Sequence, residues 1–86
     1  MHLLITGGAG FIGSNYLRHT IQQAGYFSKI SVLDALTYSG TKANFLGINQ
    51  SDFDFIEGDI RNQELVERSI IGVDVIVHFA AESHVD

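Results

Sequence analysis

Thr6-Gly7-Gly8-Ala9-Gly10-Phe11-Ile12-Gly13 stands between a short apolar run and an amphipathic stretch, and its reading decides the fold. It satisfies G-x-G-x-x-G through Gly8, Gly10 and Gly13. A tight turn needs a residue free to take positive φ, a pyrophosphate needs backbone without Cβ atoms close by, and a helix must pack tightly on its strand. Glycine answers all three demands. The helix that starts here aims unsatisfied N–H groups and the positive end of its dipole at an anion, so no lysine is required.

Outward from this turn, the context agrees with it. On the N-terminal side, Leu3, Leu4 and Ile5 within His2–Thr6 form a run expected of a strand buried on both faces of a parallel sheet. On the other side, Ile12, Tyr16, Leu17, Ile21 and Ala24 recur at helical spacing, which predicts a helix from Gly10 to Ala24 with Gly25 as its C-terminal cap. Lys29 to Asp34, with Ile30, Val32 and Leu33, predicts a second strand and a right-handed parallel crossover. Residues 35 to 51 are looser, with room for a short helix around Thr41 to Leu46.

Phe53 and Phe55 alternate with Asp52 and Asp54 and lead through Ile56 to Gly58, a third strand with one wetter face and so nearer a sheet edge. A helix is expected over about Ile60 to Ile71, with Leu65, Val66 and Ile70 on its apolar face and Gly72 closing it. Val73 to Phe79 is β-branched and apolar enough for a central fourth strand. The sum is βαβαβαβ: an α/β chain forming the N-terminal part of a Rossmann-type doubly wound parallel sheet, strand order 3-2-1-4, incomplete. Residues 1-86 are therefore read as one N-terminal segment of a dinucleotide-binding domain, the front part of a larger protein.

Composition narrows the function classes. At 86 residues the chain is short of the roughly 100 to 150 typical of a domain. Ten acidic against five basic side chains give a formal charge of −5, without a Lys/Arg cluster to neutralise a phosphate backbone, so nucleic acid is not the expected partner. The chain has no cysteine, hence no disulfide framework and no thiolate metal site. There is no basic n-region or long apolar h-region at the N-terminus, and the apolar stretch from Val73 is far too short to span a bilayer. A soluble, cytoplasmic protein without a membrane partner is expected.

Asp34 ends the second strand about 20 residues beyond the glycines, where a carboxylate accepts hydrogen bonds from ribose hydroxyls. It favours NAD over NADP: a 2′-phosphate about 4 Å from this carboxylate would cost about 1 to 4 kcal/mol, with no arginine close by in sequence to offset it. Its structural alternative is an aspartate ending a strand in a turn. Asp59 and Ile60 follow the third strand, where Asp59 either accepts from an adenine amine, with Ile60 over the ring, or caps the following helix. The two readings weigh nearly equally. Phe79 to Ser83 lies at the carboxyl edge of the sheet, where doubly wound folds hold ligands, and small Ala80 and Ala81 let a dinucleotide approach the backbone.

Other constellations carry less. Ser83, His84 and Asp86 are the residue types of a nucleophilic triad, but neighbours on an extended segment point apart. His78 with Glu82 or His84 lacks the helical spacing of a zinc motif, and no metal site is expected. Tyr38 with Lys42 matches Tyr-x-x-x-Lys by spacing, yet it falls on the adenosine side, before the third strand.

TGGAGFIGSN (6–15), LDALTYSG (33–40), GDIRN (58–62) and VHFAAESHVD (77–86), in that order, resemble the extended short-chain dehydrogenase/reductases, and within them the nucleotide-sugar dehydratases. The resemblance implies that Gly7, Gly10 and Gly13 set the turn and that Phe11 and Ile12 line the pyrophosphate. It puts Asp34, Ala35, Leu36 and Thr37, followed by Gly40, at the adenosine ribose, and Asp59 and Ile60 at the adenine. Phe79, Ala80, Ala81, Glu82 and Ser83 would face the nicotinamide, with Ser83 also touching the sugar nucleotide. One departure is Ala35, where the dehydratases often carry a lysine or another polar residue; backbone contacts need not change.

The family reaction so implied oxidises a nucleotide-linked hexose at C4 with NAD, eliminates water across C5 and C6, and returns the hydride to C6. Its base is the tyrosine of a Tyr-x-x-x-Lys motif, which lies outside this chain, as do all the catalytic positions. The resemblance also implies that residues 1-86 are the N-terminal segment of an NAD-binding domain whose substrate domain is absent from the chain, and that the parent enzyme is a homodimer. The rival readings are an NAD-dependent nucleotide-sugar epimerase or decarboxylase, a non-catalytic NAD-binding protein of the same fold and, more weakly, a flavoprotein.

Overall fold

A computed structural model describes residues 1–7, 11–23, 25–35 and 42–79. β1 (His2–Thr6), β2 (Lys29–Asp34), β3 (Asp54–Glu57) and β4 (Val75–His78) form one parallel sheet in the order β3-β2-β1-β4. This is the predicted order. α1 (Phe11–Gln22) connects β1 to β2, and α2 (Gln63–Ser69) connects β3 to β4.

The strands form where apolar runs demand burial. Leu3, Leu4 and Ile5 of β1, and Val32 and Leu33 of β2, are almost wholly buried, because these two strands lie inside the sheet. The core centres on Leu3, Ile5, Leu17, Ile30, Val32 and Phe53, so α1 covers one face through Leu17. β3 is at the edge, as its alternating pattern implied, and Asp54 on it is exposed beside Lys29, 3.8 Å away.

Four expectations need correction. α1 spans Phe11–Gln22, and Ile12 in its first turn is 55% exposed, outside the core, where Ser14 and Thr20 are buried instead. Between β2 and β3 the described structure is two 3₁₀ turns, Lys42–Phe45 and Gln50–Asp52, the second capped by Asn49 accepting from Ser51 N at 2.9 Å. Phe45 packs on Phe53 and Phe55, ring centroids 5.1 and 5.6 Å apart, which fastens this connection over the core.

α2 begins at Gln63 rather than near Ile60. Asn62 is its N-cap, accepting from Leu65 N at 3.1 Å, because Asp59 is engaged in the preceding turn. The helix also ends at Ser69, leaving Ile70 and Ile71 in a turn, 41% and 73% exposed, before Gly72 (φ 77°). Finally β4 spans Val75–His78, shorter than the expected Val73 to Phe79; it pairs only with β1 among the described residues, with Val75 and Val77 packed on the core and Ile76 53% exposed.

Candidate functional site

Parallel pairing brings the carboxyl ends of the four strands to one edge. Thr6 registers with Leu33 on one side and His78 on the other, and Asp34 registers with Glu57. The chain leaves this edge through hydrogen-bonded turns: Gly7 N donates to Leu33 O at 2.8 Å, Gly58 N to Asp34 O at 3.0 Å, and Phe79 N to Thr6 O at 2.8 Å. Gly7, Asp34, Gly58–Asp59 and Phe79, far apart in sequence, are thereby fixed as neighbours along one rim. Among the described residues, the predicted positions Gly7, Asp34, Asp59 and Phe79 come to this rim because the sheet is parallel and in this order.

Gly7 takes φ 75°, the left-handed region that a side chain disfavours. β1 ends at the residue before it, and α1 begins at Phe11, its third position being the buried Gly13. Of the glycines in this stretch, Gly7 and Gly13 are described; Gly8 lies outside the described residues. A 12-residue α1 directs its free N–H groups toward the same rim, and the exposed Ile12 stands beside that helix end. Gly10, Leu36, Thr37, Gly40, Ala80, Ala81, Glu82 and Ser83 lie outside the described residues, as do the side chain of Phe11, the candidate triad and Tyr38.

Asp34 and Ala35 are half-buried at the end of β2. Glu57, which the sequence reading left unassigned, stands opposite Asp34 in register, adding a second carboxylate to the rim.

Asp59 performs a task that neither sequence reading anticipated. Its Oδ1 accepts from Arg61 N at 2.8 Å and Nε at 3.2 Å; its Oδ2 accepts from Nε at 3.1 Å and Nη2 at 2.7 Å. The side-chain bonds first, and then the backbone N–H, hold the carboxyl down at about 2 against an ordinary 3.8, and they raise the Arg61 guanidinium. The helix cap passes to Asn62, and the Asp59 carboxylate is engaged by Arg61. Ile60 beside it is 38% exposed, an apolar side chain at the rim.

Phe79 turns inward, its ring 5.5 Å from that of Tyr16 on α1, so what it offers the rim is backbone. Tyr26 packs edge-on against Phe27. Two further features escaped the sequence reading. Arg18 on α1 donates from Nη2 to Asn44 O and Leu46 O, both at 2.9 Å, clamping the first 3₁₀ turn, Lys42–Phe45. Thr6 Oγ1 and His78 Nδ1 are hydrogen-bonded at 2.5 Å across β1 and β4. Neither has a local motif that would reveal it. Among the described residues there is no group of three His, Cys, Asp or Glu placed to hold a metal, and no helix long and apolar enough to cross a membrane.

Comparison with known proteins adds three findings. A family described as GDP-mannose 4,6 dehydratase matches residues 4–86. The low-salt glycan biosynthesis protein Agl12 of Haloferax volcanii is 49% identical, and a dTDP-glucose 4,6-dehydratase of Streptomyces niveus 47% identical, each across 100% of this chain. The chain spans 27% of the length of either relative. The crystal structure of DesIV, a dTDP-glucose 4,6-dehydratase from Streptomyces venezuelae with NAD and TYD bound, superposes with a TM-score of 0.91 at 49% identity, over 100% of this chain and 28% of that one.

Proposed function

We propose, from the premise that this chain belongs to the GDP-mannose 4,6 dehydratase family, that it is the NAD-binding N-terminal segment of a dTDP-glucose 4,6-dehydratase. The observation that carries the reading is the rim itself: Gly7 at φ 75° leading into α1, with Asp34 ending the neighbouring strand of a 3-2-1-4 sheet. These residues fit a dinucleotide. The glycine turn admits a pyrophosphate against bare backbone, the N-terminus of α1 supplies N–H donors, and Asp34 supplies the ribose acceptor that disfavours a 2′-phosphate.

By the family resemblance Gly7, Gly10, Phe11, Ile12 and Gly13 seat the pyrophosphate, Asp34 to Thr37 and Gly40 the ribose, and Asp59 and Ile60 the adenine. Phe79 to Ser83 face the nicotinamide, Ser83 reaching the sugar nucleotide. NAD, when bound, accepts a hydride from the sugar and returns it. This chain's residues hold and orient the dinucleotide; the base and the acids of the elimination belong to the remainder of the enzyme. The whole enzyme is a lyase of nucleotide-sugar metabolism, an extended short-chain dehydrogenase/reductase, homodimeric and cytoplasmic, converting dTDP-glucose to dTDP-4-keto-6-deoxyglucose.

Product mass tests the reading. The full-length enzyme incubated with dTDP-glucose and catalytic NAD yields a product lighter by one water. An unchanged mass would redirect the assignment to an epimerase or a non-catalytic binder. For the 86-residue chain alone, ADP and NAD bind with similar affinity in calorimetry, because the adenosine unit is complete and the nicotinamide unit only begun. NAD binding far tighter than ADP would contradict that division.

A further inference from the structure

β1 and β4 are adjacent in the sheet, although Thr6 and His78 are 72 residues apart in the chain. This is the point at which strand order reverses, and the crevice outside the carboxyl ends of two such strands is where doubly wound sheets hold ligands. Thr6 is the last residue of β1 and immediately precedes Gly7; His78 is the last residue of β4 and immediately precedes Phe79. Two bonds join these ends, the backbone pair Phe79 N to Thr6 O and the side-chain pair Thr6 Oγ1 with His78 Nδ1. The threonine hydroxyl is buried while the histidine is exposed, and a hydroxyl can donate or accept, so the bond forms with either tautomer of the ring.

Neither side chain is needed to form the sheet at this point. The parallel ladder already pairs Thr6 with His78 through backbone, and the apolar core lies on the opposite face, through Leu3, Ile5, Val75 and Val77. What the side-chain bond adds is fixation of the residue from which the glycine turn departs. We infer that Thr6 and His78 are a positioning pair, which holds the first peptide of the glycine turn in register with the end of β4 and so sets the seat of the diphosphate. The inference rests on the NAD-binding reading.

The test compares ligands that differ only in their phosphates. ADP and adenosine are titrated into the 86-residue chain and followed by NMR chemical shifts, with thermal unfolding measured in parallel. Thr6→Val and His78→Phe, which keep shape and remove the bond, weaken ADP about five- to ten-fold, the range of one hydrogen bond, and leave adenosine unchanged. Thr6→Ser and His78→Asn, which retain a partner at the same position, restore ADP affinity. The double variant Thr6→Val/His78→Phe is no worse than either single one. ADP affinity unchanged in both bond-deleting variants overturns the inference, as does a parallel loss of ADP and adenosine, which marks a merely structural tie. Wild-type chain that binds ADP and NAD no better than adenosine overturns the NAD-binding reading itself, and the positioning role with it.

Discussion

The first βαβ unit and the second are built on different terms. β1 and β2 bury successive residues on both faces, all apolar in Leu3 to Ile5 and apolar but for Ser31 in Ile30 to Leu33, and α1 places the fully buried Leu17 against them. β3 and β4 are four residues each with no fully buried position, and α2 buries only Ser69 while Ile70, Ile71 and Ile76 remain exposed. The first unit holds itself by packing. The second packs on the core more sparsely, through Phe55, Val75 and Val77, and adds polar devices at its ends: the Asp59–Arg61 pair, the Asn62 cap, and Asp74, whose Oδ2 accepts from His2 N at 2.8 Å. Burial therefore supplies the platform, and hydrogen-bonded turns place the rim.

The largest effect should separate the two units. Leu17→Ala removes a side chain with no exposure and is expected to cost about 2 to 5 kcal/mol, whereas Ile76→Ala, half exposed, should stay within about 0.5 kcal/mol. Thermal unfolding followed by circular dichroism measures both. Equal losses would erase the distinction. Next comes selectivity: Asp34→Ala should reduce discrimination against NADP by about 1 to 4 kcal/mol, the repulsion it removes, with NAD and NADP affinities compared by calorimetry. Unchanged selectivity would leave Asp34 as a turn residue.

A smaller effect tests whether the connection between the units is tied down by α1. Arg18→Gln withdraws a guanidinium from two carbonyls and should cost about 1 to 2 kcal/mol. It should also raise amide exchange around Asn44 to Ile48, where Ile48 N donates to Phe45 O. Exchange that does not change there would mean that the Phe45–Phe53 packing alone holds the turn.

The same contrast explains what was legible in the sequence. β1 and β2 were read at their exact bounds because Leu3 to Ile5, and Ile30 to Leu33 broken only by the buried Ser31, are apolar stretches with one solution, burial within a sheet. The strand order and the convergence of Gly7, Asp34, Asp59 and Phe79 on one rim followed from handedness. The start of α2 was misjudged because Asp59 and Asn62 are both cap-forming residues, and the choice between them was made by Arg61, whose pairing no periodicity encodes. The Thr6–His78 bond was hidden for another reason: it joins residues that only the tertiary register brings together.

The smallest effect probes the second unit's polar scaffold directly. Asp59 carries a carboxyl held at about 2 rather than 3.8, chiefly by the Arg61 side chain. A carboxyl lowered on folding favours the folded state above its unfolded value, so its contribution is complete above pH 3.8 and is lost as pH falls toward about 2. The pair is solvent-exposed, and its influence on global stability should be slight. The carboxyl carbon shift of Asp59 should therefore titrate with a midpoint near 2, while Arg61→Gln returns it toward 3.8. A wild-type midpoint already near 3.8 would mean that Arg61 does not hold the turn in solution. Asp59 would then be free to take the adenine amine, or to compete with Asn62 for the start of α2.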